Sequence, residues 1–202
     1  MVITHGHCSR PAPPKLTWRT RVRPFCARSL PGSTRPATCA CCGGNKVLTL
    51  HSELASHAFR GIGWEGTSVD PYTTSAGRTL LSAWDTETIT RWWDHFPHQA
   101  TPTSAPSAIR DNVADWPPPP RVTLAGLLDH VDAIRRHGYG SVDEEFEPGL
   151  VGVSAPVYGF RGDIIAAINV SAPKQRLGAH LDEAGKFTRS IADQMSTALG
   201  AP

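Results

Sequence analysis

No acidic residue occurs in the first 46 positions of this 202-residue chain, and no cysteine occurs after position 42. These two absences divide the sequence. Residues 1–46 carry eight Lys/Arg and all five cysteines (Cys8, Cys26, Cys39, Cys41, Cys42), whereas residues 47–202 carry twelve Lys/Arg against eighteen Asp/Glu. The formal net charge of +2 therefore joins a basic segment to an acidic body. Also missing is any apolar run near the ~18 residues of a membrane span. The longest candidate, Ile164 to Val170, is strand-sized and contains Asn169. The N-terminus has no apolar stretch of secretory-signal length. A soluble, cytoplasmic protein without a membrane partner is expected. With 40% hydrophobic and 19% charged residues the chain as a whole is not of disordered composition.

The basic segment does not read as a folded domain. Six prolines (Pro11, Pro13, Pro14, Pro24, Pro31, Pro36) interrupt it; each removes a backbone donor and disfavours helix at the preceding residue. Residues 1–43 are expected to be disordered or irregular. Three roles compete for them. Scattered arginines could bind nucleic acid through phosphates, although only Trp18 and Phe25 offer rings for stacking. His5, His7, Cys8 and the Cys39, Cys41, Cys42 cluster could hold a metal, but Cys39-Ala-Cys41-Cys42 matches paired zinc spacing weakly, and no metal is expected. The third role is none: the abrupt change at Gly43-Gly44 fits a shifted reading frame or a misplaced start.

Regular patterns begin at residue 46. Val47 to Leu50 is a short β-prone run; residues 58–70, with Gly61, Gly63 and Gly66, argue against a long helix. Thr74 can cap a helix opening at Ser75, with Ala76, Leu80 and Trp84 on one face. Asp85 can cap a second, with Ile89, Trp92, Trp93 and Phe96 as its stripe and Pro97 as its stop. Seven prolines in residues 97–122 make a stiff connector. Thr123 then caps the clearest helix, with Leu124, Leu127, Leu128, Val131 and Ile134 on its stripe, basic residues in its last turn and Gly138 beyond it. Gly138 to Asp143, Leu150 to Val157 and Ile164 to Ser171 read as strands, the last two joined by a turn at Arg161-Gly162-Asp163. A final helix over about 179–199 places Leu181, Ala184, Ile191, Ala198 and Leu199 on one side. Hairpin-linked strands with helices packed on them give an α+β domain with an antiparallel sheet.

Three runs carry a family resemblance: Gly138 to Val157 (GYGSVDEEFEPGLVGVSAPV), Ile168 to Pro173 (INVSAP) and Thr73 to Leu81 (TTSAGRTLL). In this order and spacing they resemble the C-terminal domain of the IclR family of bacterial transcription regulators, over about residues 44–200. The resemblance implies a GAF-like domain at 44–202, shortened at its start. It implies a small organic acid as effector, assembly into homo-oligomers, and no cofactor. The family's winged helix-turn-helix is not legible in residues 1–45, so DNA is a partner only through a domain this chain lacks.

The residues suggest how an acid would be held. Amides near Ser75, Ala76 and Gly77 open a helix, where the dipole favours an anion; simple capping of the same helix is the competing account. By resemblance, Ser75 and Ala76 match ligand-facing positions, Leu150, Gly152 and Ser171 match pocket-lining ones, and Val69 matches an apolar wall. Ser171 has a hydroxyl to donate, or to spend on its own backbone. Gly152 stands where relatives carry a larger side chain, and Val142 where many carry Asp. The first would widen the cavity, and the second implies a less polar effector, such as an aromatic acid. Asp143 is a further candidate beside Glu144, Glu145 and Glu147, which together also read as a solvated edge.

An enzyme is not expected. The chain has no GxSxG, HExxH, P-loop or dinucleotide fingerprint, and Ser154 lacks the second glycine of a nucleophile elbow. A small hydrolase remains the alternative from that class, and an interaction module that oligomerises with full-length regulators the alternative among binding proteins.

Overall fold

The computed structural model describes residues 37–43, 46–53, 68–96 and 121–202. Six strands are described: β1 Ala37–Gly43, β2 Lys46–Glu53, β3 Ser68–Val69, β4 Gly140–Asp143, β5 Leu150–Tyr158 and β6 Ile164–Pro173. The helices are α1 Ser75–Leu81, α2 Thr86–His95, α3 Leu124–His137, the single turn α4 Lys174–Leu177, and α5 Leu181–Ala198. One sheet contains all six strands in the order β3-β2-β1-β6-β5-β4, every neighbour antiparallel. This is the α+β architecture the hairpin pattern implies.

The helix starts follow from local chemistry. The Thr74 and Thr123 hydroxyls accept the Gly77 and Gly126 amides at 3.1 Å, and the Asp85 carboxylate accepts the Thr88 amide at 2.7 Å. Each satisfies an amide that the first turn leaves without a carbonyl. Hydrogen bonding to Thr88 holds the Asp85 carboxyl below the usual range. Gly138 ends α3 with φ at 74°, and its amide bonds the Ile134 carbonyl, a left-handed cap that favours glycine.

The sheet has two unlike faces. Val151, Val153, Ala155 and Val157 of β5 and Ile168, Val170 and Ala172 of β6 pack with Leu177, Ala184, Ile191, Ala192 and Met195 beneath α5. The alternate positions turn toward α1 and are small or polar: Gly152, Ser154, Ala167, Asn169 and Ser171. A second core joins Ile89, Trp92 and Phe96 of α2 to Leu127 and Val131 of α3, with Tyr72 and Leu81. Its rings meet edge-on, Tyr72 to Trp93 at 5.5 Å and Tyr72 to Phe96 at 5.7 Å, the arrangement aromatic quadrupoles prefer.

Several expectations change. Residues 37–43, read as part of an irregular segment, form β1, which runs between β2 and β6 in the middle of the sheet. Pro36 is the last proline before them, and a strand bonded on both edges needs no apolar period of its own. The boundary at 43/44 therefore cuts through the sheet. Residues 1–36, including His5, His7 and Cys8 of the expected metal alternatives, lie outside the described residues, as do 54–67 and 97–120. Among the described residues no group of three or more His, Cys, Asp or Glu is placed to hold a metal. The strand expected from Gly138 begins at Gly140, because Gly138 is spent on the α3 cap. In α5 the buried stripe is Ala184, Gly185, Thr188, Ile191, Ala192, Met195 and Ser196, and Ala198 is exposed. Trp84 does not share a core with Ala76 and Leu80; it packs with the aromatic group of α2 and α3.

Candidate functional site

The cross-strand registers Val142↔Gly152 and Gly152↔Ser171 put three candidate positions in one row across β4, β5 and β6. Directly paired residues of an antiparallel ladder share a face, and this row faces α1. A Cβ built on Gly152 would lie 3.2 Å from the Ser75 hydroxyl, 3.4 Å from the Ser171 hydroxyl and 3.5 Å from Asn169 Oδ1. Glycine at 152 thus lets three polar groups approach the strand closely, with little room for a side chain between them.

Those groups are bonded in sequence. The Ser75 hydroxyl donates to Asn169 Oδ1 at 2.8 Å, and Asn169 Nδ2 donates to the Ser171 hydroxyl oxygen at 2.8 Å. Ser75 is buried, while Asn169 and Ser171 are half-buried. Beside this chain Val69 and Ala76 pack with Val47, Leu80 and Ala167, and Phe146 and Ile164 lie against them. The site is therefore polar where β5 and β6 meet α1 and apolar toward β2 and β3. Val142, 6% exposed, extends the floor without a charge.

The N-terminus of α1 is held from behind. A Cβ on Gly77 would come within 2.1 Å of the Pro71 carbonyl oxygen, an approach no other residue permits. The Gly77 amide is spent on Thr74, so it is not one of the amides turned toward a ligand. Deeper in the helix, the Thr79 and Ser154 hydroxyls, both buried, bond at 2.7 Å and tie α1 to β5.

Arg78 is 1% exposed. Its guanidinium donates to the Tyr72 carbonyl at 2.9 Å, to Glu145 Oε2 at 2.6 Å and to His130 Nδ1. Arginine has no acceptor, so His130 Nδ1 must present its lone pair and the ring proton sits on Nε2. Burial, followed by the Arg78 charge, holds the His130 pKa below its ordinary value, against smaller opposing effects of Glu145 and Asp129. This knot joins α1, α3 and the β4–β5 loop through the buried Arg78.

The expected site residues divide accordingly. Ser75, Gly152 and Ser171 converge, and Val69 and Ala76 form the apolar side. Leu150 is half-buried at the start of β5, on the same face as Gly152 two positions away. Asp143 stands apart: it is exposed and pairs with Lys174 at 3.0 Å. Lys174 also bonds Glu144 at 2.6 Å, and that bond is the leading cause that holds the Glu144 carboxyl below the usual range. The candidate list missed Asn169, the centre of the chain. Its sequence signal is period two, since it lies two residues before Ser171 in a run of small apolar residues.

Comparison with known proteins places this geometry. Residues 39–197 match the family described as bacterial transcriptional regulator IclR C-terminal. The repressor AllR of Klebsiella pneumoniae is 25% identical over 178 residues, covering 88% of this chain and 60% of AllR. AllR of Salmonella paratyphi A is 31% identical over 93 residues, 46% of this chain and 34% of its own length. The chain thus spans between about a third and three fifths of the curated relatives it matches. Among solved structures, the transcriptional regulator YaiJ superposes with a TM-score of 0.76 at 17% identity, covering 92% of this chain and 96% of YaiJ. The Agobacterium tumefaciens repressor BlcR gives 0.69 at 19% identity, covering 90% and 66%. These relatives are regulators rather than enzymes, against the hydrolase alternative. The family match covers most of the chain and takes in all three sequence runs, so the chain belongs to the IclR family and carries its C-terminal domain.

Proposed function

We infer that this domain senses a small organic acid bound between the start of α1 and the floor formed by β4, β5 and β6. The observation that carries this reading is the convergence of Ser75, Asn169 and Ser171 beside Gly152, where α1 meets the sheet. The Ser171 hydroxyl, which accepts from Asn169 and keeps its own proton, suits a carboxylate beside a helix start. Ala76, Val69 and Val142 offer apolar surface and no acid, which favours an aromatic or otherwise less polar acid over the smallest oxo-acids. A solved domain of similar fold, the inducer-binding domain of a PobR double mutant from Acinetobacter, is a complex with 3-hydroxy benzoic acid; that ligand belongs to PobR and suggests a class of probes here. Leu150 would border the ligand's far end, and Asp143 would remain on Lys174. Control of transcription would pass through a winged-helix domain in an oligomer, in the cytoplasm.

The test is calorimetry with benzoate, 3-hydroxybenzoate and glyoxylate. Binding of an aromatic acid that weakens at least tenfold in Ser171→Ala supports the reading. Binding unchanged by Ser171→Ala and by Gly152→Val, or no acid bound, overturns it. Val142→Asp is expected to weaken the aromatic acid, since it brings a negative charge toward an anion.

A further inference from the structure

Among the described residues, Glu144 is the one non-glycine in the left-handed region, with φ at 58°. It opens the β4–β5 loop, residues 144–149. A side chain stays in that conformation only where surrounding bonds over-determine it, and here they do. The Glu144 amide donates to the Leu150 carbonyl at 3.0 Å. Its carboxylate accepts the Gly149 amide at 2.8 Å and Lys174 Nζ at 2.6 Å. Lys174 also pairs with Asp143, and its own amide donates to the Gly149 carbonyl at 2.8 Å. Both ends of the loop are therefore tied to Lys174, the first residue after β6.

Between those ends the loop reaches α1. Glu145 accepts from Arg78 at 2.6 Å, and Phe146 packs against the cluster that contains Ala76 and Leu80. Residues two positions apart on a helix lie about 200° apart around its axis, so neighbouring loop residues grip opposite flanks of α1. The two attachments differ in depth. Arg78 is 1% exposed and its charge is permanent, so this grip is strong. The side chains of Lys174, Asp143 and Glu144 are 43%, 47% and 40% exposed, where ion pairs are weak and screened by salt.

We propose that residues 144–149 form a strap that opens as a unit, with Lys174 as its surface latch and Glu144 and Gly149 as its hinges. Opening lifts Glu145 and Phe146 off α1 and lets water reach Arg78 where Glu145 lay. Glu144 is then free to leave its left-handed conformation, which favours release once the latch is gone. Its use as the way in for a ligand rests on the acid-sensing reading, since the strands it joins carry Val142 and Gly152; the opening itself does not.

Hydrogen exchange of the full chain, resolved by NMR, reads the open fraction at the Gly149 and Leu150 amides. Lys174→Met is expected to raise both rates about threefold or more, the scale of half-exposed ion pairs. Sodium chloride at about 1 M, where screening acts within ~3 Å, should bring the wild type toward the variant and leave the variant nearly unchanged. Glu145→Gln should raise the same two rates, although Glu145 bonds neither amide, because the strap moves as one piece. The Ile191 and Ala192 amides of α5, which open only in wider unfolding, should change less than about twofold. Rates at Gly149 and Leu150 that ignore Lys174→Met, or ignore Glu145→Gln, overturn the strap, and so does an equal rise in α5. Benzoate that binds should slow the two amides. Benzoate bound without slowing them removes the strap's part in ligand entry and leaves acid sensing intact. A protein that binds none of benzoate, 3-hydroxybenzoate or glyoxylate removes the acid-sensing reading, and the exchange rates still decide the strap.

Discussion

Two residues show how closely the site depends on single atoms. Gly77 presses against the backbone of Pro71, which cannot rotate aside as a side chain could. Gly77→Ala is expected to cost about 1–3 kcal/mol, the usual range for overpacking a tight contact, and to shift Ser75 with it. Urea unfolding measures the first effect and acid binding the second. His130 gives a pH dependence. Its folded pKa lies below the ordinary value near 6.5, so the folded state binds fewer protons than the unfolded one. The stability it contributes is present above that value and is lost as the pH falls through it toward the folded pKa. Thermal midpoints taken from pH 7.5 down to 5.5 should decline, and His130→Gln should flatten that decline. A slope unchanged in the variant would assign it to other groups. At this scale Ser75, Gly152 and Ser171 were legible, because each stands in a run that resembles the family. Arg78, His130 and Asn169 were not. Their partners lie on other elements, and an Asn in an apolar run reads first as an interruption.

Elements were legible where one end signal and one apolar period agreed, as in α3. The start of α1 was read correctly from Thr74; Thr74→Ala is expected to cost about 1 kcal/mol, measurable by denaturant titration. The stripe of α5 was only half legible, for a physical reason. Thr188 and Ser196 are buried, yet their hydroxyls bond the Ala184 and Ala192 carbonyls one turn back, each at 2.7 Å. The Ser196 oxygen also accepts the Tyr158 amide at 2.9 Å. A polar side chain satisfied in this way can face the core, and a search for apolar letters passes over it. Gly185 is hidden similarly. A Cβ there would lie 2.2 Å from the Tyr139 ring, whose hydroxyl bonds Asp182. Gly185→Ala, which would favour an isolated helix, is expected to destabilise this one and to shift Tyr139; tyrosine fluorescence and the thermal midpoint report both. A rise in the midpoint would contradict the close packing.

On the scale of the molecule, β1 decides the outcome. It lies between β2 and β6, so β2 and β3, with Val47 and Val69, join the rest of the sheet through it. A protein shortened to begin at Gly44 should lose cooperative unfolding and bind the hydrophobic dye ANS; retention of a sharp transition would show β1 to be dispensable. That strand was the least legible part of the fold. Its local composition follows a proline-rich stretch, and its place is fixed by partners far along the chain.

The pairing of Ala37 with Val170 also sets an order of events. The first described strand bonds the last one, so on the ribosome the sheet stays open at its centre until β6 has emerged. The row of Val142, Gly152 and Ser171 is then among the last features to be completed, and a ligand present during synthesis would meet a finished site or none.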